Sequence, residues 1–347
     1  DQIVIKWRDI ANNQEYDCPF DVVKFPTATL KSGEQLPGMR LQWHYTTPFG
    51  EQFNNYQAFY KAKEELPAGT SHIEMGETWG KNCVKGKIYQ FTLTKPVPVG
   101  GQLAGFRGAP DQPAASWKVY SYESQMAAQP LETVDVTEGS NGTKLGILKF
   151  GGDGDINCLQ RTAYGYGRWG QSALRQRLNS DKGVGEWWIP QNDFDRVPDQ
   201  LATKAGFLTG FDDEFKALLR EVQVKTALNT VTDYKADSGI EPLEVTYDKM
   251  FPLALEEMNI EPQLAGEGET CPYWKIASGS EGKLKQYETY PQLISYAINN
   301  HTSPQVLRLR SAGRGNSYNT WYVGSTGRVG HDSATIACRC APACDIC

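Results

Sequence analysis

The first third of the chain alternates between apolar and polar residues in short runs. "DQIVIKW", "DVVKFPTATL", "MRLQWHY", "GTSHIEM" and "KIYQFTLTKPVPVGGQLAGF" are rich in β-branched and aromatic residues and are cut by Gly, Pro and Asn. Side chains of this kind suit a pleated, half-buried surface. Residues 1–125 are therefore expected to form a small antiparallel β domain. One stretch departs from the pattern. In "NYQAFYKAKEELPAG" the apolar residues Ala58, Phe59, Ala62 and Leu66 recur at helical spacing, and Pro67 with Gly69 ends the run. A helix is expected there. Residues 126–145, "MAAQPLETVDVTEGSNGTKL", are polar and turn-rich and are expected to be a linker.

From residue 146 the period changes. "GRWGQSALRQRLNSD" puts Trp169, Ala173, Leu174 and Leu178 on one stripe, predicting a helix that ends at Asn179 and Ser180. "DDEFKALLREVQVKTAL" predicts a helix capped by Asp212, with Phe215, Leu218, Leu219 and Val222 on one face. "YDKMFPLALEEMNI" reads as a strand with a short helical piece, and "YPQLISYAI" as a short helix. The last forty residues have no helical period and read as short strands joined by tight turns. The expected fold class is α+β, with a second domain over 146–347.

Bulk properties narrow the function. A chain of 347 residues is long enough for two domains. A net charge of −6 argues against nucleic-acid or anionic-membrane partners, which need a positive field. No apolar run reaches the ~18 residues of a membrane span, and "DQIVIKWRDI" has no signal-peptide core. Cys18, Cys83, Cys158 and Cys271 are scattered and read as reduced, packed thiols. Cys338, Cys340, Cys344 and Cys347 form C-x-C-x3-C-x2-C, a poor fit to zinc-ligand spacing, so no metal is expected. In "GGDGDIN", Asp153, Asp155 and Asn157 match a fragment of a calcium loop whose later ligands are missing, and a turn is expected instead. The histidines His44, His72, His301 and His331 sit in no catalytic pattern, and no nucleophile elbow or phosphate cradle occurs. Trp187 and Trp188 read as packing residues.

The tail is compositionally odd. Residues 311–347 contain no Lys, Glu, Gln or Met and one Trp, Trp321, whereas residues 1–310 hold 77 residues of these five types. None of the five can be reached from an AAC or AAT codon by changing only its adenines, and all the other residue types of the tail can. Either a turn-rich loop has this composition by accident, or adenine-directed mutagenesis shaped it.

The run "RSAGRGNSYNTWYVGSTGRV…RCAPAC" resembles the C-terminal variable region of the target proteins of diversity-generating retroelements, in the lineage found in phages and prophages of gut Firmicutes. "KFGGDGDINCLQRTAYGYGRWGQSALRQRLNSD", "WWIPQNDFDR", "GFLTGF" and "TYDKMFPLALEEM" are similar to the frame of that lineage, and "GMRLQWHY" and "YQFTLTKPVPVGGQL" to its leading domain. Leu309 stands where the family often has Trp. The resemblance implies a C-type-lectin-like fold for 146–347, with a variable region near 311–340, as in phage major tropism determinants. It also implies a role on the virion surface, after synthesis in the bacterial cytoplasm, in recognising a host cell-surface protein or glycan.

A recognition surface needs contact area at low entropic cost. Tyr supplies area with two torsions, and Ser, Gly and Asn supply adaptable hydrogen bonds, whereas Lys, Glu, Gln and Met lose more rotamer freedom. Ser311, Trp321, Val323, Val329, Ala341, Pro342 and Ala343 are expected to be frame. Arg314, Asn316, Tyr318, Asn319, Tyr322, Ser325, Thr326, His331, Asp332 and Ser333 are expected to face a ligand together on one exposed surface. The expected partners include other phage virion proteins and further copies of the chain, a trimer being favoured by analogy. No cofactor, catalysis or membrane insertion is expected. The rivals are a structural decoration or tail protein without receptor recognition, and an enzyme of the same fold that uses paired cysteines and copper.

Overall fold

The structure is a computed structural model. It describes residues 1–55, 60–61, 65, 67, 71–75, 88–93, 102–103, 126–131, 166–189, 197–198, 200–230, 241–315 and 318–346. The "GGDGDIN" turn, Cys83, Cys158, Cys347 and Asn316 lie outside the described residues.

The chain opens with β1 (Gln2–Asp9), β2 (Gln14–Lys24), β3 (Thr27–Thr29), β4 (Gln35–Pro37) and β5 (Met39–Trp43). β6 (Tyr60–Lys61), β7 (Ser71–Met75), β8 (Ile88–Leu93), β9 (Gln102–Leu103) and β10 (Met126–Leu131) follow. Next come α1 (Ala173–Leu178), α2 (Asp213–Leu218), β11 (Val222–Ala227), β12 (Leu243–Asp248), β13 (Phe251–Pro252) and α3 (Pro272–Ser278). β14 (Ser295–Ala297), β15 (Asn300–Gln305), β16 (Leu307–Ala312), β17 (Asn319–Val323), β18 (Val329–Ser333) and β19 (Pro342–Ile346) complete the order. The fold is α+β as expected, and its named strands pair antiparallel. Among the described residues no helix is long and apolar enough to cross a membrane.

The expected division at 126–145 does not hold. The chain forms two compact units: Asp1–Asn55, Gly167–Ile189 and Val197–Cys347 make one, and Tyr56–Tyr166 with Pro190–Arg196 makes the other. The first strands belong with the last because one five-stranded sheet, β1-β2-β5-β19-β13, draws on both. β19 lies between β5 and β13, with Cys344 opposite Leu41 and Asp345 opposite Arg40. This pairing buries Leu41, Trp43, Ala343 and Cys344. Hydrophobic alternation marks a strand but does not name its neighbour, so the sequence pattern was blind to this closure.

Two further expectations fail in the second unit. Tyr60–Lys61, inside the expected helix, is a strand paired with Gln102–Leu103. Met126–Leu131, the start of the expected linker, pairs with Ile88–Leu93. In both places a partner strand satisfies the backbone groups, and tertiary pairing overrides local pattern.

In the first unit α1 forms where expected. Ser172 caps it by accepting from Arg175 N (3.0 Å), and Trp169, Ala173, Leu174 and Leu178 are buried. Asp212 caps α2 by accepting from Phe215 N (2.7 Å). The helix nevertheless stops at Leu218, which is exposed, and Val222 begins β11 instead of extending the apolar face. "VQVKTA" alternates and is β-branched, so pairing with β12 buries Val222, Val224 and Thr226. "YPQLISYAI" is a single 3-10 turn, Pro291–Leu293, followed by β14. Trp187 is buried and donates to Lys204 O (2.7 Å), the packing role expected of it. Cys18, Cys271, Cys338, Cys340 and Cys344 are free and buried, and burial pushes the Cys18 and Cys271 thiols up to about 12.

Beneath the sheet lies an aromatic cluster. Trp7 meets Trp43 edge-on at 5.5 Å and stacks on Phe207 at 5.1 Å, and Phe211 lies 4.9 Å from Phe215. Beside it runs a buried ionic network. Arg40 donates twice to Asp345 (2.6 and 2.9 Å) and once to Glu257 (2.6 Å). Glu257 also pairs with Arg310, which donates to Pro252 O (3.0 Å) and Glu267 O (2.6 Å). Burial opposes ionisation of Glu257, but Arg310 and Arg40 more than offset it and hold its pKa below the ordinary glutamate value.

Removing one member of such a network strands buried charge. Glu257→Ala is expected to cost about 3–5 kcal/mol, read as a shifted urea midpoint at pH 7. Because the Glu257 pKa is depressed, its contribution is present at neutral pH and is lost as pH falls through the folded-state value, so wild type and variant should converge in acid. A variant as stable as wild type at pH 7 would show the network to be dispensable.

Candidate ligand-binding face of the C-terminal hairpin

The tail forms β16 to β19. β17 is the centre of a three-stranded sheet, flanked by β16 and β18. The β17–β18 turn is tight: Gly327 N donates to Gly324 O (2.8 Å) and Gly324 N to Arg328 O (2.7 Å). Gly327 has φ +83, and a Cβ there would sit 2.2 Å from Tyr290 O, so the position requires glycine. Ser325 and Thr326 are exposed at the tip.

The hairpin stands on two buried arginines of "LRLRSA", in which every residue of β16 is buried. Arg308 donates to Thr320 Oγ1 (2.5 Å), Ser333 O (3.3 Å), Ile336 O (2.8 Å) and Cys338 Sγ (3.0 Å). It thereby ties β17, β18 and the turn after β18 to one guanidinium. Arg310 ties the same strand to Glu257. Ser311 accepts from Leu255 N (3.0 Å) and donates to Glu267 (2.7 Å), whose carboxyl burial pushes up. The expected frame is buried throughout: Ser311, Trp321, Val323, Val329, Ala341, Pro342 and Ala343.

The candidate contact residues do not form one face. β17 and β18 pair Asn319 with Ser333, Trp321 with His331, Thr320 with Asp332 and Tyr322 with Gly330. Opposed residues project to the same side of a sheet and neighbours along a strand to opposite sides. Asn319 and His331 therefore share one face with Trp321, and Tyr322 and Asp332 share the other. Ser333 is buried, its hydroxyl 2.7 Å from that of Thr335, which corrects its assignment to the exposed surface. Tyr318 and Arg314 are half-buried before β17. Arg314 N donates to Gln263 (2.7 Å), and its carbonyl accepts from Thr230 N (2.9 Å). Tyr322 is half-buried, its ring lying over Gly330, where a Cβ would stand 3.0 Å from the phenol oxygen.

The first face has a defined geometry. Trp321 is 0% exposed, and its indole donates weakly to Gln263 (3.4 Å). His331 lies edge-on to it at 5.0 Å. Asn319 Nδ2 is 2.7 Å from His331 Nδ1, so the amide donates when the ring is neutral and its proton sits on Nε2. Burial lowers the His331 pKa, and Asp332 partly opposes this. Tyr287, on the segment before β14, completes the cluster at 5.3 Å from Trp321 and 5.7 Å from His331. Sequence reading missed Tyr287 and Gln263 because neither lies in the tail nor in any periodic stretch. Side chains of this kind offer ring faces and neutral hydrogen-bond groups to a partner. Among the described residues no group of three or more His, Cys, Asp or Glu could hold a metal ion.

Residues 154–346, over half of the chain, match the family described as "Domain of unknown function (DUF6273)". No curated protein and no solved structure matches the chain.

Two outcomes follow from this geometry. Trp321→Ala is expected to cost about 3–5 kcal/mol, as for large aromatic truncations in cores, whereas Ser325→Ala and Thr326→Ala should stay within about 0.5 kcal/mol, both read by thermal melting. The His331 pKa is depressed, so its neutral form stabilises the fold above the unfolded value and this stabilisation is lost as pH falls through the folded value. His44 is the opposite case. Its bond to Asp21 (2.8 Å) raises its pKa, so its contribution is present at low pH and fades as pH rises. A pH series of melting temperatures should therefore tilt one way on His331→Phe and the other way on His44→Phe. Parallel shifts would refute the assignment.

Proposed function

We propose the following for this chain, which belongs to the DUF6273 family: it is a recognition protein of a phage particle, and its C-terminal hairpin carries an exchangeable ligand-binding surface on a lectin-like frame. One observation carries the reading. The residue types reachable by altering adenines in Asn codons fill the exposed and half-buried positions Asn319, Tyr322, Ser325, Thr326, His331 and Asp332. The one type in the tail that cannot be so reached, Trp321, is wholly buried. Mutagenesis that left Trp321 alone would vary contacts without removing the cluster on which they rest.

The frame favours such use. Arg310 binds backbone carbonyls and the Glu257 carboxylate, and Arg308 binds backbone carbonyls together with the buried Thr320 hydroxyl and Cys338 thiol, so few of their bonds depend on the side chains that the hairpin displays outward. A packed sheet that pairs β19 with β5 supports the hairpin from below. This arrangement supports the lectin-like reading of the resemblance. Recognition then proceeds by differential binding alone, without catalysis or cofactor. Weak single contacts on a virion, or on a trimer, gain roughly 10²–10⁴-fold from effective concentration where geometry allows.

The test is genetic and biochemical. The DNA flanking the gene should carry a near-copy of codons 311–340, differing only at adenines, beside a reverse-transcriptase gene. Purified chain should bind cells of the bacterium that carries the phage, and Tyr322→Ala with His331→Ala should reduce that binding under conditions in which thermal melting shows the variant still folded. Binding that is indifferent to both changes, with no near-copy in the DNA, would favour a structural particle protein.

A further inference from the structure

The exposed surface around Trp321 is not built from the tail alone. The segment Tyr287–Tyr290 lies outside residues 311–340 yet borders β18. Tyr287 N donates to Val329 O (3.0 Å), Val329 N to Glu288 O (2.9 Å) and Tyr290 N to Gly327 O (2.9 Å). The segment is pinned from within by the Tyr290 hydroxyl, which accepts from Lys285 N (2.7 Å) and donates to Glu288 (2.8 Å). Tyr287 itself has φ +63, a left-handed conformation that bulky side chains disfavour and that Gly or Asn would adopt more readily. Packing alone explains its ring only in part. The ring rests against Trp321 and His331, but the residue is 51% exposed. The chain thus holds an aromatic ring half in solvent, at a disfavoured backbone position, beside His331, to which Asn319 is bonded.

We propose that Tyr287 is a constant contact residue of the recognition surface, and that its ring, with Asn319 and His331, takes an apolar or ring-shaped group of a bound protein. The inference rests on the reading of the hairpin as a recognition surface. At Val329 the backbone of β18 is paired on both sides, by β17 and by Tyr287–Tyr290, so beside Tyr287 a partner meets side chains and not an open strand edge. Tyr is suited to that task, since it contributes large area with few torsions to lose, and binding energy concentrates on such residues. Held by three backbone bonds at its border, Tyr287 is ordered before contact. It supplies a common foothold whichever residues stand at 319 and 331.

The experiment uses the full chain, with positions 319, 322, 325, 326, 331 and 332 randomised and binders selected against lysozyme as the probe. Tyr287→Asn and Tyr287→Phe are then placed in the selected binders. Asn keeps the left-handed turn and removes the ring, and Phe keeps the ring. The expected result is a Kd weakened about tenfold or more by Asn, the size of a typical hot-spot loss, with Phe within about threefold and both melting temperatures unchanged. Binders that tolerate Tyr287→Asn would overturn the proposal and leave the recognition reading standing. A melting temperature lowered by Tyr287→Asn as far as by Trp321→Ala would overturn it by assigning Tyr287 to packing. A library that yields no binders would overturn both readings.

Discussion

Glu257 sits between two guanidinium groups that reach it from distant parts of the chain, Arg40 on β5 and Arg310 on β16. Asp345 on β19 holds the other side of Arg40. Four charges buried together tolerate little displacement, because each lost partner leaves an ion in low dielectric. The network therefore fixes the first strands, the turn around Glu257, the root of the C-terminal hairpin and β19 in one geometry. The same turn presents Leu255 N and the Glu257 carboxylate to Ser311 and Arg310, so the start of the tail is anchored through side chains and backbone alike.

Much of this was legible in the sequence where a local rule governs. The stripe Trp169, Ala173, Leu174 and Leu178 is a helix face because one side of α1 meets the core. Asp212 is a cap because its carboxylate satisfies a backbone donor. Trp321 was identifiable as frame from its codon, and it is buried. Reading failed where the deciding partner is remote. Nothing near "MRLQWHY" announces that its neighbour is "PACDI" three hundred residues on. Val222 has helical spacing from Phe215, but β12 offers it a better burial as a strand. The supposed single face of the tail divided because the strand period places Tyr322 and Asp332 opposite Asn319 and His331, a point that composition does not contain. Tyr287 was invisible because a lone aromatic in a turn has no pattern.

The hairpin separates two duties that most surfaces mix. Rigidity comes from residues pointing inward and from backbone groups held by Arg308, whereas on the proposed reading variety would come from side chains that project outward or lie on Trp321. Not every outward residue is equally free. Tyr322 shelters the glycine opposite it, and Asn319 is bonded to His331, so these positions trade contact with a partner against local packing. Ser325 and Thr326, at the tip of the glycine turn, carry the fewest such obligations.

The placement of β19 has a consequence for synthesis. Because this strand is inserted between β5 and β13, the central sheet stays open until Pro342–Ile346 has been synthesised and can pair. Closing the sheet also joins residues about three hundred positions apart, and such non-local pairings form slowly. A frameshift or early stop before Pro342 would deliver no β19 and would leave Arg40 without Asp345 and β5 without its neighbour. Only chains translated in frame through β19 would close the sheet, so the fold itself acts as a proofreader of whatever is written upstream of it.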